Sequence, residues 1–343
     1  MSIARMQEYV NSWGKAKQDD IATANTLAGI WRLTKLNAWA QRKLNTESDA
    51  DEYGKPHEFQ TQSYKTSWDC NGSIEKYLSS EIAAWAFAFG LGKATPGTGT
   101  YTITPLDPVA DGLELPYFSF IQALRQGASA VADEMMVGCA VNDFNIAVGS
   151  GPGRENSKIT INFVGSGKLV APSAITLPAA TAEHLLPSAA VALSVIGMDY
   201  VALKRIVSLE FGWNNNIALD QAFYPGCGFQ DAGDGTSGAI RGRLLVGKRV
   251  PHLRYVALVE YGSTEFDKLK GATTGTAVIT MTNSAAETFT ATFHQVKIMV
   301  ADHADANGFA AVTVEATPEY KDPDGVLTVQ AKTAVTGIGQ AEA

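Results

Sequence analysis

Through most of the chain apolar and polar positions alternate with a period of two, the pattern of strands that bury one face. Ile159, Ile161 and Phe163 alternate with Thr160 and Asn162, and Phe144, Ile146 and Val148 repeat the pattern. Val296, Ile298 and Val300 do so around Lys297. Turn-forming residues separate these runs, at Gly149 to Gly153 and at Asp302 to Gly308. One stretch differs: Ser79-Ser80-Glu81 leads into Ile82 to Phe89, which is apolar all round and predicts a short helix, capped by serine and stopped at Gly90. The first sixty residues are polar and more helix-like. Met6, Tyr9, Val10 and Trp13 share a helical face, while Trp31, Leu33, Leu36 and Trp39 fit both periods. Asn45 to Pro56 is acidic and turn-rich, and predicts an exposed loop. Ser173 to Pro187, rich in Ala, Thr and Pro, reads as a connector.

The order of elements repeats across that connector. In the first half a strand over Ser67 to Lys76 precedes the helix, and a Gly/Thr turn then enters Tyr101 to Thr104. In the second half a strand over Ala239 to Val246 precedes a helix expected from Pro251 through Leu253, Tyr255, Val256 and Val259 to Gly262. Gly271 to Gly275 then enters Val278 to Thr282. Each half closes with a hairpin: Asp143 to Val148 with Ile159 to Val164, and Gln295 to Val300 with Ala311 to Ala316. On this reading residues 1–170 and 171–343 are tandem units, and Pro105 to Ala130 is an extra loop of the first. Asp322 to Ala343 is expected to add one strand, Val326 to Gln330, and then fray.

Composition sharpens this. Hydrophobic residues make up 45% of the 343, enough for a real core, whereas charged residues are only 18%, below the roughly 25% usual for soluble domains. Few charges on a large chain suit either a Thr/Ser/Asn-rich β protein or a surface covered by other subunits. The net charge of −8 and the absence of a basic block argue against wrapping nucleic acid. Cys70, Cys139 and Cys227 are widely spaced and odd in number, as expected of reduced thiols. The start, Met1 to Glu8, has no apolar signal core, and Ile82 to Leu91 is too short to cross a bilayer, so a cytosolic origin without a membrane anchor is expected.

Catalytic patterns are missing. The chain has no GxxxxGK[ST] loop and no GxSxG elbow, and Pro152 removes a donor from the glycine-rich turn. His57, His184, His252, His294 and His303 form no HxH or HExxH pair. Asp302, His303 and Asp305 read as a solvated turn, and Asp322-Pro323-Asp324-Gly325 as a β-turn lacking a calcium loop's ligands. Trp31, Trp39, Trp68, Trp85 and Trp213 fit core or interface packing better than a sugar groove. No catalytic residue, cofactor or metal ligand is expected, and the chain is read as a non-enzyme.

Several segments resemble the tail tube proteins of siphophages, the bacteriophages with long non-contractile tails. They are Trp68 to Glu75; Ile82 to Leu91 followed by Gly99 to Pro105; Val137 to Ile146 with Lys158 to Gly165; and Arg205 to Asn216, a strand ending in asparagines. The resemblance implies a mainly β fold of two tandem tail-tube-like β-sandwich units, each with a short helix, plus an N-terminal arm and long loops. It implies a virion protein made in the host cytoplasm, whose partners are copies of itself: rings that join sheets into one β-barrel and stack into a tube, with other tail proteins at its ends. Double-stranded DNA would pass through an electronegative lumen without specific binding. With two units per chain a trimer makes a pseudo-sixfold ring; a hexamer of whole chains is the alternative. Other classes compatible with the pattern are a decoration or pilus-like subunit and, further off, a carbohydrate-binding or hydrolase β-domain.

Overall fold

The computed structural model describes residues 8–33, 37–48, 63–126, 129–149, 156–170, 175, 177–200, 205–231, 237–260 and 264–341. The period-two pattern becomes a mainly β architecture. The first half supplies β1 (Glu8–Gly14), β2 (Ile30–Leu33), β3 (Asn37–Ser48), β4 (Ser63–Tyr77), α1 (Ser80–Leu91), β5 (Gly92–Pro96), β6 (Thr100–Pro105), β7 (Phe118–Gln126), β8 (Ser129–Gly149), β9 (Lys158–Gly165) and β10 (Lys168–Val170). The second supplies β11 (Ala180–Thr181), β12 (Val191–Val195), β13 (Met198–Asp199), β14 (Ile206–Asn214), β15 (Phe229–Asp231), β16 (Ser237–Ala239), β17 (Val250–Leu258), α2 (Glu265–Lys270), β18 (Thr274–Thr282), β19 (Thr288–Ala306), β20 (Phe309–Glu319) and β21 (Leu327–Lys332).

Eight strands form one antiparallel sheet in the order β3-β4-β9-β8-β14-β17-β20-β19. The first four come from the first half and the last four from the second, and β8 against β14 joins them. The pairings of the first half recur in the second. β1 pairs with β2 and β7, as β12 pairs with β13 and β18. β7 pairs with the start of β8, as β18 does with the start of β19. After each closing hairpin the chain returns to the same place, β10 onto β8 and β21 onto β19. The halves differ by inserted pairs: β5–β6 after α1 in the first, β15–β16 between β14 and β17 in the second.

β8 and β19 are the longest strands because each serves two layers. Their N-terminal parts pair in the outer layer and their C-terminal parts enter the eight-stranded sheet. In β8 the crossing falls at Gly138, whose φ of +67° only glycine adopts cheaply; a Cβ there would lie 2.2 Å from the Ile21 carbonyl oxygen.

α1 fills the space between layers. It is buried on every side, as an all-apolar helix must be. Ser79 Oγ accepts from the Ile82 amide at its start, and Gly92, at φ 98°, caps its end. Phe87 packs on Phe144 of β8 (4.6 Å between ring centres) and Phe289 of β19 (5.1 Å). Trp85 packs on Phe118 of β7 (5.0 Å) and Trp13 of β1 (5.8 Å). Each such side chain contributes about 1.5–3 kcal/mol by leaving water, so one helix holds both halves together.

Several local expectations are corrected. Tyr9, Val10 and Trp13 lie on strand β1, not a helix, and Met6 falls outside the described residues. Seven residues are too few to display a period, and Trp13's edge contacts with Trp31 and Trp85 decide the backbone. The helix expected over Pro251 to Gly262 is strand β17, with Leu253, Tyr255 and Ala257 inward; the second helix is α2, Glu265–Lys270. Of the expected strand Ala239 to Val246 only Ala239 lies in a regular strand, β16, because Arg241 turns in to donate to the Gly165 carbonyl and Asp69. α1 ends at Leu91 rather than Gly90. Pro105 to Ala130 contains β7, which occupies the place in the first half that β18 has in the second; Tyr101 to Thr104 belongs to the inserted pair. β19 runs to Ala306, so Asp302 to Asp305 are strand and the turn shrinks to Asn307-Gly308. The end does not fray after β21: Ile338 is buried, and Gly339 N donates to the Lys15 carbonyl at 2.8 Å. Asn45 to Ser48 finish β3, whereas residues 49–56 of the acidic loop lie outside the described residues.

Candidate functional site

The eight-stranded sheet has one covered face and one open face. Inward residues such as Ile74, Ile161, Phe144 and Trp213 stand in register against α1 and the outer layer. The residues between them on each strand line the open face in continuous rows. One row runs Tyr77–Lys158–Ala147–Glu210–Arg254–Glu315–Val300, from β4 to β19. Another runs Trp39–Ser73–Asn162–Asp143–Asn214–Val250.

These rows are polar and their charge leans acidic. Glu75, Asp143, Glu210, Glu315 and Asp302 stand among fewer bases, chiefly Lys158, Arg254 and Lys297. Asp143 is held by Asn162 Nδ2 at 2.7 Å and Asn142 Nδ2 at 3.0 Å, and Arg254 Nε reaches Glu315 at 3.5 Å. His252 Nε2 lies 3.0 Å from Asn145 Oδ1. Burial pushes the His252 imidazole below its ordinary value, against the opposing pull of Glu210 and Asp143, so this histidine is neutral near pH 7 and adds no positive charge to the face.

The two ends of the sheet are unfinished. β3 pairs with β4 on one side, and the distal part of β19 pairs with β20 on one side; among the described residues no strand pairs with either on its other side, although the Asn11 and Gln122 side chains meet the Ala38 carbonyl and the Ala40 amide beside Trp39. Trp39 on β3 is 52% exposed and Met299 on β19 is 53% exposed. Open edges carrying large apolar side chains invite pairing with another chain.

The residues weighed for chemistry are scattered. His57 lies outside the described residues. His294 contacts Thr328 Oγ1 at 2.8 Å, and His303 lies against the Phe266 ring at 4.8 Å. Trp31, Trp85 and Trp213 are buried, while Trp68 lies beneath the Arg42 guanidinium, 3.5 Å from its ring centre. Cys70 and Cys139 are buried as free thiols and Cys227 is half-buried. The asparagines after β14 are structural: Asn215 accepts from Trp213 Nε1 and donates to the Gly90 and Val141 carbonyls, pinning β14 to α1 and β8. Among the described residues no helix is long and apolar enough to cross a membrane. The open rows and the two end strands escaped the sequence reading because register between strands far apart in the chain has no local signal. No family model matches the chain, and no curated protein matches its sequence.

Proposed function

We propose that this chain is a non-enzymatic tube subunit, and that its partners are further copies of itself arranged in a ring, with rings stacking into a tail tube that conducts DNA. The observation that carries the reading is the eight-stranded sheet whose two end strands, among the described residues, pair with another strand on one side only. Its strand number is even, so β3 and β19 run in opposite directions, and β19 of one copy can continue the antiparallel sheet into β3 of the next. Closure removes both edges at once. The β8–β14 junction inside the chain is the template for that contact, since β8 and β19 occupy equivalent places, as do β14 and β3.

The repeated pairing order supports tandem units over residues 1–170 and 171–343, and hence a trimer with pseudo-sixfold symmetry. The acidic open face would line the lumen, where like charge keeps phosphate from adhering. Such a subunit would act in the virion tail after synthesis in the host cytoplasm. Negative-stain microscopy of the purified chain with rotational averaging tests this. Hollow rings with threefold symmetry of whole chains are expected. Strict sixfold rings of whole chains would sink the trimer, and solid filaments or monomers would favour a pilus-like or decoration subunit instead.

A further inference from the structure

Three titratable side chains from distant parts of the chain converge where the halves meet. Glu81 stands in the first turn of α1, His184 in the segment between β11 and β12, and Glu287 just before β19. His184 Nδ1 lies 3.2 Å from Glu287 Oε2 and 3.7 Å from Glu81 Oε1. One donor atom from each of the three lies within 4.8 Å of the others. Both carboxylates are buried, Glu81 to 1% exposure, whereas the imidazole is half exposed and forms the mouth of the cluster.

The surroundings hold Glu287 at both oxygens, Oε1 accepting from the Ala334 amide at 3.2 Å, and leave Glu81 incompletely satisfied. Ser80 Oγ donates to Glu287 Oε2 at 2.5 Å and Asn283 Nδ2 donates to the same oxygen at 2.8 Å. Asn283 Oδ1 in turn accepts from the amides of Ala285 and Glu287 at 3.0 Å each. The His184 carbonyl accepts from the Ser80 amide and from Asn283 Nδ2, both at 3.4 Å. The nearby Lys76 ammonium is engaged by Glu183. Glu81 Oε2 is buried and has no hydrogen-bond partner among the described residues. A buried carboxylate oxygen left bare beside a second carboxylate costs free energy that a cation bound between the two recovers.

We propose that Glu81, His184 and Glu287 bind one divalent transition-metal ion of the zinc class, which clamps the connector to both halves of the chain. A tetrahedral ion with bonds of about 2.0–2.2 Å spaces its donor atoms roughly 3.3 Å apart, and the two distances at His184 Nδ1 fit that spacing. A ligand set of one imidazole and two carboxylates suits zinc better than calcium or magnesium, which take oxygen donors. The fourth position opens toward solvent past His184 and takes water. Every ligand comes from one chain, so the site is independent of assembly.

The test is titration of the chelator-treated full chain with zinc, with cobalt(II) as a spectroscopic probe. One ion per chain is expected, with a visible cobalt band that zinc displaces and a higher thermal midpoint in the metal-loaded protein. Glu81→Gln and His184→Ala should each weaken binding about tenfold or more, while His294→Ala leaves it unchanged. Asn283→Ala keeps all three ligands and removes only the bonds that aim Glu287; it should also weaken binding about tenfold, which keeps the test valid if a ligand variant folds poorly. Absence of saturable binding, or binding indifferent to Glu81→Gln, overturns the site. So does stabilisation that zinc does not alter and that grows only as His184 gains a proton, which would make the cluster an imidazolium–carboxylate triad.

Discussion

Phe144 of β8 stands directly opposite Trp213 of β14, at the one line where the eight-stranded sheet passes from the first half of the chain to the second. Both side chains are buried, and Phe87 of α1 closes on Phe144 nearly edge-on, at 66°. Phe144→Ala should leave a cavity at this junction and cost about 3–5 kcal/mol. The urea midpoint should fall accordingly while the far-UV circular dichroism of the folded state stays unchanged.

Trp39→Lys addresses the edge instead of the core. Trp39 is half exposed on β3, so the change should alter monomer stability by no more than about 0.5 kcal/mol. A lysine there should nevertheless block edge pairing. Sedimentation velocity should show folded single chains where the parent assembles; undiminished assembly would place the ring contact elsewhere.

The β19–β20 turn places Asn307 at φ 55° and Gly308 at φ 85°, the left-handed pair of a tight two-residue hairpin. Gly308→Ala forces a Cβ into that region and should cost about 1–2 kcal/mol. Asn307→Gly should be close to neutral. Thermal unfolding of the two variants side by side separates a conformational cost from simple loss of a side chain.

Glu265 at the start of α2 accepts from Arg205 Nη2 at 2.6 Å and from the Tyr200 hydroxyl at 3.3 Å, and the Tyr200 and Tyr255 hydroxyls lie 2.8 Å apart. Burial pushes both tyrosine hydroxyls well above their ordinary range, so they stay protonated and able to donate. Glu265→Gln preserves shape but takes away the carboxylate that Arg205 Nη2 donates to, while Arg205 Nε keeps the Leu258 carbonyl, with an expected cost of about 1.5–3 kcal/mol. Chemical denaturation measures it, and a loss below about 1 kcal/mol would show that the charge is compensated by other groups.

His252 supplies a pH dependence. Its folded-state value lies below the ordinary 6.5 because burial disfavours the charged ring. As pH falls through about 6.5 the unfolded chain takes up a proton that the folded chain refuses, so stability present above that pH is lost below it. His252→Gln should flatten this part of the curve. Urea midpoints collected from about pH 8 down to about pH 5 on both proteins check the sign.

Much of this architecture was legible in the residue order. The hairpins of Phe144 to Val148 with Ile159 to Val164, and of Ile298 with Ala316, follow from alternation and turn residues, and α1 follows from an apolar run behind a serine cap. These features are set within a few residues by side-chain period and backbone preference, so local sequence determines them. The backbone of Trp13 and Tyr255 was not legible. In both segments the apolar spacing fits a helix and a strand, and cross-strand partners chose the strand: Phe120 and Trp31 for Trp13, Leu209 and Val314 for Tyr255.

The sequence by itself determined that the chain is mainly β and poor in charge, and where its closing hairpins and α1 lie. Only the tertiary structure decided which strands adjoin, that β8 meets β14, that acidic residues share one open face, and that Glu81, His184 and Glu287 meet. The reason is physical: alternation says which side of a strand is apolar, but register and neighbours depend on the burial gained when segments far apart in the chain pack together.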